Sequence, residues 1–136
     1  MNDEDVVLAV NAAYYRALAT ADVKAIERLW AFDGLTCVHP GWRPLIGRED
    51  VIASYRDILA GADSMPIICS GETAILNGDF ARVLCMERVV NVVLVATNAF
   101  VRTPQGWLMA HHQASQVVVM ENVHVSERDA RPRTLN

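Results

Sequence analysis

The chain has 136 residues, 52% of them hydrophobic and 21% charged, with a net charge of -4. That length fits one domain, able to bury about two thirds of the surface its unfolded chain exposes. The acidic balance argues against nucleic acid as a partner, and the longest apolar run, residues 89–96, is broken by Asn91 and falls short of the roughly 20 residues of a membrane span. The apolar excess instead points to a ligand cavity or an oligomer interface. Cys37, Cys69 and Cys85 are odd in number and each lies among apolar residues, so they read as buried free thiols in a reducing compartment. They have no Cys-x-x-Cys spacing, which argues against a zinc ribbon. The acidic start, Met1-Asn2-Asp3-Glu4-Asp5, is unlike the basic start of a signal peptide, and the expected location is cytoplasmic.

Asp3, Glu4 and Asp5 place negative charge where a helix N-terminus is stabilised by it. Val7, Val10, Tyr14, Ala17 and Ala21 then recur at helical spacing, with Tyr14 on the apolar stripe and Tyr15 turned about 100° from it. Asp22 is an N-cap for a second helix carrying Val23, Ile26, Leu29 and Trp30, which Asp33-Gly34 stops. Residues 35–39 predict a strand with Leu35, Cys37 and His39 on one face. The loop that follows has two prolines and two glycines within 40–47, so it holds His39, Trp42 and Arg43 in a restricted backbone. Glu49 and Asp50 open a third helix with Val51, Tyr55, Ile58 and Leu59 inward, and Gly61 ends it.

Beyond residue 65 the pattern is all strand: 67–76, a turn at Asn77-Gly78, 80–90, 92–102, a turn at Thr103-Pro104-Gln105-Gly106, and 107–120. Three helices in the N-terminal half followed by a long antiparallel meander make an α+β layout. A strongly curved sheet with the helices across its open side would enclose a cavity. The expected domain is 1–126. Residues 127–136, with three arginines, a proline and no apolar period, read as a mobile tail, and His124 as surface.

Asn98 sits in an apolar strand and must be paired with protein, water or ligand, because a buried amide without partners costs roughly 1–3 kcal/mol. His111 and His112 are strand neighbours that point to opposite faces, so they are not read as a metal pair. Strict alternation groups Trp107, Met109, His111, Gln113 and Ser115 on one face and Leu108, Ala110, His112 and Ala114 on the other. It leaves open which face is inside. Trp42 is either a lid over the pocket mouth or a plug against the third helix. Arg43 and Arg48 either attract an anionic ligand or stay solvated.

Several of these segments resemble a known family. They are Cys37-Val38-His39-Pro40-Gly41-Trp42, Gly47-Arg48-Glu49-Asp50, Ala96-Thr97-Asn98-Ala99-Phe100, and the run from Gly106-Trp107 through His111-His112 to Ser115. Over residues 6–119 the chain resembles the nuclear transport factor 2-like superfamily, more narrowly the SnoaL-like proteins, relatives of ketosteroid isomerase and polyketide cyclases. The resemblance implies a cone-shaped fold that hosts isomerases, cyclases, hydrolases, dehydratases and non-catalytic binding modules.

Carried over by position, the isomerase's general base, a carboxylate directly before a proline on the first strand, falls on His39. Its oxyanion-hole tyrosine falls on Tyr14, eight residues before Asp22. Its second oxyanion donor, a protonated carboxyl two residues before a phenylalanine, falls on Asn98. An imidazole accepts a proton near neutral pH, and a phenol and an amide donate to a developing enolate. The implied catalytic set is therefore His39, Tyr14 and Asn98. The implied ligand contacts are Trp42, Arg43, Tyr55, Phe100, Trp107, His111 and His112. No metal or cofactor is expected. The expected partners are a small apolar molecule and a second copy packed through the sheet face. Two function classes stand side by side. One is an isomerase-, cyclase- or dehydratase-type enzyme acting on a small carbonyl compound. The other is a non-catalytic ligand-binding or dimeric interaction module, in which His39 is a core histidine.

Overall fold

The structure, a computed structural model, describes residues 1–61 and 65–118. The end of the expected domain at 119–126, His124 and the tail 127–136 lie outside the described residues. Helix α1 (Asp3–Ala19) starts where Asn2 accepts the Asp5 amide at 2.8 Å, and α2 (Val23–Leu29) starts where Asp22 accepts the Ala25 amide at 3.1 Å. Strands β1 (Thr36–Val38) and β2 (Leu45–Ile46) flank the loop, and α3 (Arg48–Leu59) follows. The rest is β3 (Ile67–Asn77), β4 (Phe80–Val89), β5 (Val92–Thr103) and β6 (Gly106–Gln116).

The six strands form one curved, unclosed sheet in the order β2-β1-β6-β5-β4-β3. Strands β3 to β6 are the expected antiparallel meander. Strand β1 departs from it, pairing with β6 in parallel through Thr36↔His111, Cys37↔His112 and Val38↔Gln113. The sheet is therefore mixed. About half of the chain separates these two strands, so no hairpin turn imposes an antiparallel direction on them.

Alternation along β6 breaks once. Phe100 pairs with Met109 and Ala99 with His111, which leaves Ala110 as an extra residue, a β-bulge. The bulge reverses the faces: Trp107 and Met109 are buried before it, His112 and Ala114 after it. The strict grouping of 107, 109, 111, 113 and 115 on one face is thereby corrected. A second bulge interrupts β3 between Ser70 and Thr73, where Gly71 takes a φ of +67°. Bulges of this kind bend strands and increase their twist, and these two help curve the sheet around the helices.

Trp30, Tyr14, Tyr55, Phe100, Ile26 and Leu35 are the largest fully buried side chains. Each large apolar one contributes on the order of 1.5–3 kcal/mol by leaving water. On α1 the buried face is wider than the single stripe suggested. Asn11 and Tyr15 are buried beside Val7 and Tyr14, because α1 meets β3, β4 and β6 of a sheet that wraps around it. No helix among the described residues is long and apolar enough to cross a membrane.

Candidate active site

A cavity of about 600 Å³ lies between the helices and the concave side of the sheet, within the range of small-molecule sites. Leu18, Ile58, Met65, Ile67, Val89 and Leu94 make much of its apolar wall. Five groups able to exchange protons interrupt that wall: Tyr14 from α1, His39 from the end of β1, Tyr55 from α3, Glu87 from β4 and His112 from β6.

Local structure explains each position. Tyr14 lies on the buried face of α1, and Tyr55 on the buried face of α3. Their hydroxyls are 2.7 Å apart, in hydrogen-bond contact. Burial pushes both phenols well above their ordinary range, so both remain neutral donors. His39 continues the inward phase of Leu35 and Cys37, and its ring meets Tyr55 edge-on at 5.0 Å and Trp42 at 4.8 Å. Its Nε2 is 2.8 Å from Ser54 Oγ, and that hydroxyl donates to Val51 O at 2.6 Å. Ser54 has a single proton, so it accepts from Nε2–H. The other nitrogen, Nδ1, is left as an acceptor whose nearest partner is the Cys37 thiol at 3.9 Å. Burial lowers the His39 pKa to about 4.

His112 is held from behind. Asn98 donates through Nδ2 to Asn11 Oδ1 at 2.8 Å and to the Tyr15 hydroxyl at 3.0 Å, so its Oδ1 faces the imidazole. His112 Nδ1–H donates to that oxygen at 2.6 Å, which makes Nε2 the lone-pair nitrogen. Burial, then the nearby imidazoles of His39 and His111, lowers the His112 pKa to about 3. The two cavity imidazoles are 6.2 Å apart, and His112 is 5.4 Å from the Tyr14 ring. Two neutral acceptors and a pair of phenol donors therefore share one apolar cavity. That set can take a proton from carbon while holding the oxygen on which charge develops.

The structure brings together Tyr14, His39, Tyr55, His112 and Trp42. Trp42 stands at the cavity wall over His39 and is 45% exposed. Other expected positions need correction. Asn98 is fully buried and off the cavity wall, with its amide consumed by Asn11, Tyr15 and His112, so it positions His112 instead of meeting a ligand. Phe100 lies two residues further along β5, in the closed core. Trp107 sits at the other end of β6, where its indole donates to Asp3 at 3.2 Å and its ring faces Arg102. His111 points away from the inner face, 2.7 Å from Thr36 Oγ1, because the bulge sends its neighbour inward. Arg43 is exposed in the loop and forms no part of the cavity wall. Arg48 binds the carbonyls of Glu27, Trp30 and Ala31 at 2.8–2.9 Å, which closes the C-terminal end of α2 and leaves no anion site.

Sequence reasoning missed Glu87, Ser54, Tyr15 and Asn11. Glu87 had a readable signal, since it shares the inward phase of β4 with Ala81, Val83 and Cys85. The others became visible only when α1 and α3 were placed against the sheet.

A family profile described as SnoaL-like domain matches residues 7–120. No curated protein matches the chain. Among solved structures, an NTF2-like protein from Streptomyces avermitilis, provisionally described as a dehydratase, is 34% identical, covers 86% of this chain and 97% of its own, and superposes with a TM-score of 0.79. A protein from Thiobacillus denitrificans, provisionally described as a calcium/calmodulin-dependent protein kinase type II association domain, is 26% identical over 82% of this chain and 94% of its own, with a TM-score of 0.74. An NTF2-like protein with a cystatin-like fold from Novosphingobium aromaticivorans is 22% identical over 85% and 82%, with a TM-score of 0.67, a likeness of fold.

Proposed function

The chain belongs to the SnoaL-like domain family, and we propose that it is an acid–base enzyme that removes water from a small, neutral, mostly apolar β-hydroxy carbonyl compound. One observation carries this reading. Two neutral imidazoles 6.2 Å apart open on the same apolar cavity as a hydrogen-bonded phenol pair. The similarity to a protein provisionally described as a dehydratase supports the same class.

In this reading the substrate carbonyl accepts a hydrogen bond from the tyrosine pair. One phenol donates to the other, and that contact polarises the second donor toward the ligand. His39 Nδ1 takes the proton from the carbon next to the carbonyl, and the C–H electron pair moves into the enolate that the phenols stabilise. The imidazolium then gives its proton to the β-hydroxyl. That group leaves as water while the enolate electrons form the carbon–carbon double bond and the carbonyl returns. His112 Nε2, held by Asn98, accepts a hydrogen bond from the β-hydroxyl and orients it. Atoms and charge balance without a metal or an oxidant. The three unpaired cysteines fit a reducing, cytoplasmic setting.

The test uses two probes. In D2O, 2-tetralone reports carbon–hydrogen exchange beside a carbonyl, and 3-hydroxy-1-tetralone reports elimination through the appearance of 1-naphthol. His39→Gln is expected to lower both rates about 100-fold or more, the usual scale of a lost general base. Because the free-enzyme base titrates at about 4, wild-type kcat/KM should rise with pH through that value and be level from pH 6 to 8. Rates equal to buffer for both probes would overturn the enzyme reading.

A second reading rests on the outer face of the sheet, where Ile68, Leu84 and Val95 are exposed, and on the similarity to a protein provisionally described as an association domain. We propose that two copies pair through that face, an arrangement compatible with catalysis in each cavity.

A further inference from the structure

Glu87 is an anomaly in the cavity wall. It is 3% exposed, lies between Cys69 and Leu94 of the neighbouring strands, lines the cavity with Ile67 and Val89, and only one of its oxygens is engaged: Oε2 accepts from the Tyr15 hydroxyl at 2.5 Å. Oε1 takes no hydrogen bond from any described residue. Supporting Tyr15 needs one acceptor oxygen, which an amide would supply without the desolvation cost of a carboxyl. The second oxygen is therefore surplus to the fold, and the residue that carries it faces the cavity.

Strand register puts the backbone of Glu87 at a different level of the sheet from the residues that hold the imidazole cluster. Glu87 pairs with Leu94, and Val83 with Asn98, the residue that holds His112. Four residues of strand, about 13 Å of backbone, separate the two levels; Oε2 reaches back to the Tyr15 hydroxyl, which Asn98 also binds, and Oε1 is the oxygen left for a ligand. We infer that Glu87 is a second recognition point, which selects ligands carrying a hydroxyl group remote from the reacting carbonyl. A hydroxyl donates to a carboxylate at modest cost, whereas an ammonium in this apolar wall would lose several kcal/mol of hydration. This inference rests on the cavity being the site of a neutral carbonyl compound, and it narrows that compound to one with a polar group at each end.

Three naphthols test it, with affinities measured by calorimetry. They are 2-naphthol, 2,6-dihydroxynaphthalene and 6-methoxy-2-naphthol, the last matching the diol in shape but lacking the second donor. Burial pushes the Glu87 carboxyl up, so binding is read at pH 8, toward the ionised, acceptor-only form. The diol is expected to bind about tenfold more tightly than the methoxy ether. In Glu87→Gln the amide carbonyl takes the Tyr15 proton and presents its N–H to the cavity, so that ratio should fall to about one or invert. Equal affinities of diol and ether in the wild type, or a ratio unchanged in Glu87→Gln, would overturn the inference and leave the cavity reading standing. Failure of 2-naphthol itself to bind would remove both. The wild-type ratio needs no variant, so it decides the matter even if Glu87→Gln does not fold.

Discussion

The buried polar residues are costly, and their cost can be read as a function of pH. His39 and His112 are held neutral, with pKa values of about 4 and about 3, where an unfolded chain would titrate them near 6.5. Between those values the unfolded chain binds protons that the folded chain does not, so folding stability rises with pH across that window. The full contribution is present above about 6.5 and is lost as pH falls toward 3. Glu87 acts in the opposite sense: its raised pKa means the folded chain keeps that proton more tightly, which offsets part of the loss on acidification. The histidines carry the larger total, so the urea midpoint should fall steadily from pH 7 to pH 4.5. His112→Gln should flatten that slope by about the contribution of one proton. A midpoint independent of pH between 7 and 5 would show that the imidazoles are not held neutral by burial. Asn98 belongs to the same argument. Its amide joins Asn11, Tyr15 and His112, and this network fixes which nitrogen of His112 can act as an acceptor.

At the scale of elements, the two bulges do what alternation alone could not. Caps, turns and periodicity made the three helices and the four long strands readable: Asp22, Gly61 and Asn77-Gly78 each mark a boundary that the structure keeps within a residue or two. That Leu35, Cys37 and His39 share one face was equally legible, and the structure shows that face to be the buried one. Hidden from the sequence was the extra residue at Ala110. It sits in a run of residues acceptable on either face, and it decides that His112, not His111, reaches the cavity. The parallel pairing of β1 with β6 was hidden for a related reason, since three residues of strand carry no signal of direction. Asn98 was read as an amide that must find a partner, without saying which; its partners come from α1 and β6, and only packing brings them together. The bulge on β3 is open to direct test. Gly71 has a φ of +67° and nothing within 4 Å of where a Cβ would lie, so Gly71→Ala meets only backbone strain. Urea unfolding should report a loss of about 1–2 kcal/mol. A neutral substitution would mean that the bulge tolerates another conformation and that the curvature of β3 is not pinned at this point.

For the whole molecule, the question is what covers the convex side of the sheet. The helices cover the concave side only. On the other side Leu84, Val95, Ile68 and Ile75 remain exposed, between 37% and 63%. The register places Leu84 beside Thr73 and Thr97, and Val95 beside Met86 and Ser115, so the apolar groups are spread across the middle strands and not confined to an edge. An antiparallel sheet with one solvated face normally alternates polar residues there. A face with this composition is better suited to a symmetric pair, in which the same patch meets itself. Light scattering at micromolar concentration should then return twice the 15.0 kDa chain mass. Val95→Glu would bury two like charges near one another in such a pair and should return the single-chain mass, with the fold retained because Val95 points away from the core. A wild-type mass of one chain would sink the pairing. The variant also tests whether the cavity depends on the pairing, because β5 turns Leu94 toward the cavity and Val95 away from it. A monomeric Val95→Glu that keeps its naphthol affinity would place binding within each cone. Loss of both together would mean that the cavity depends on the partner for its shape.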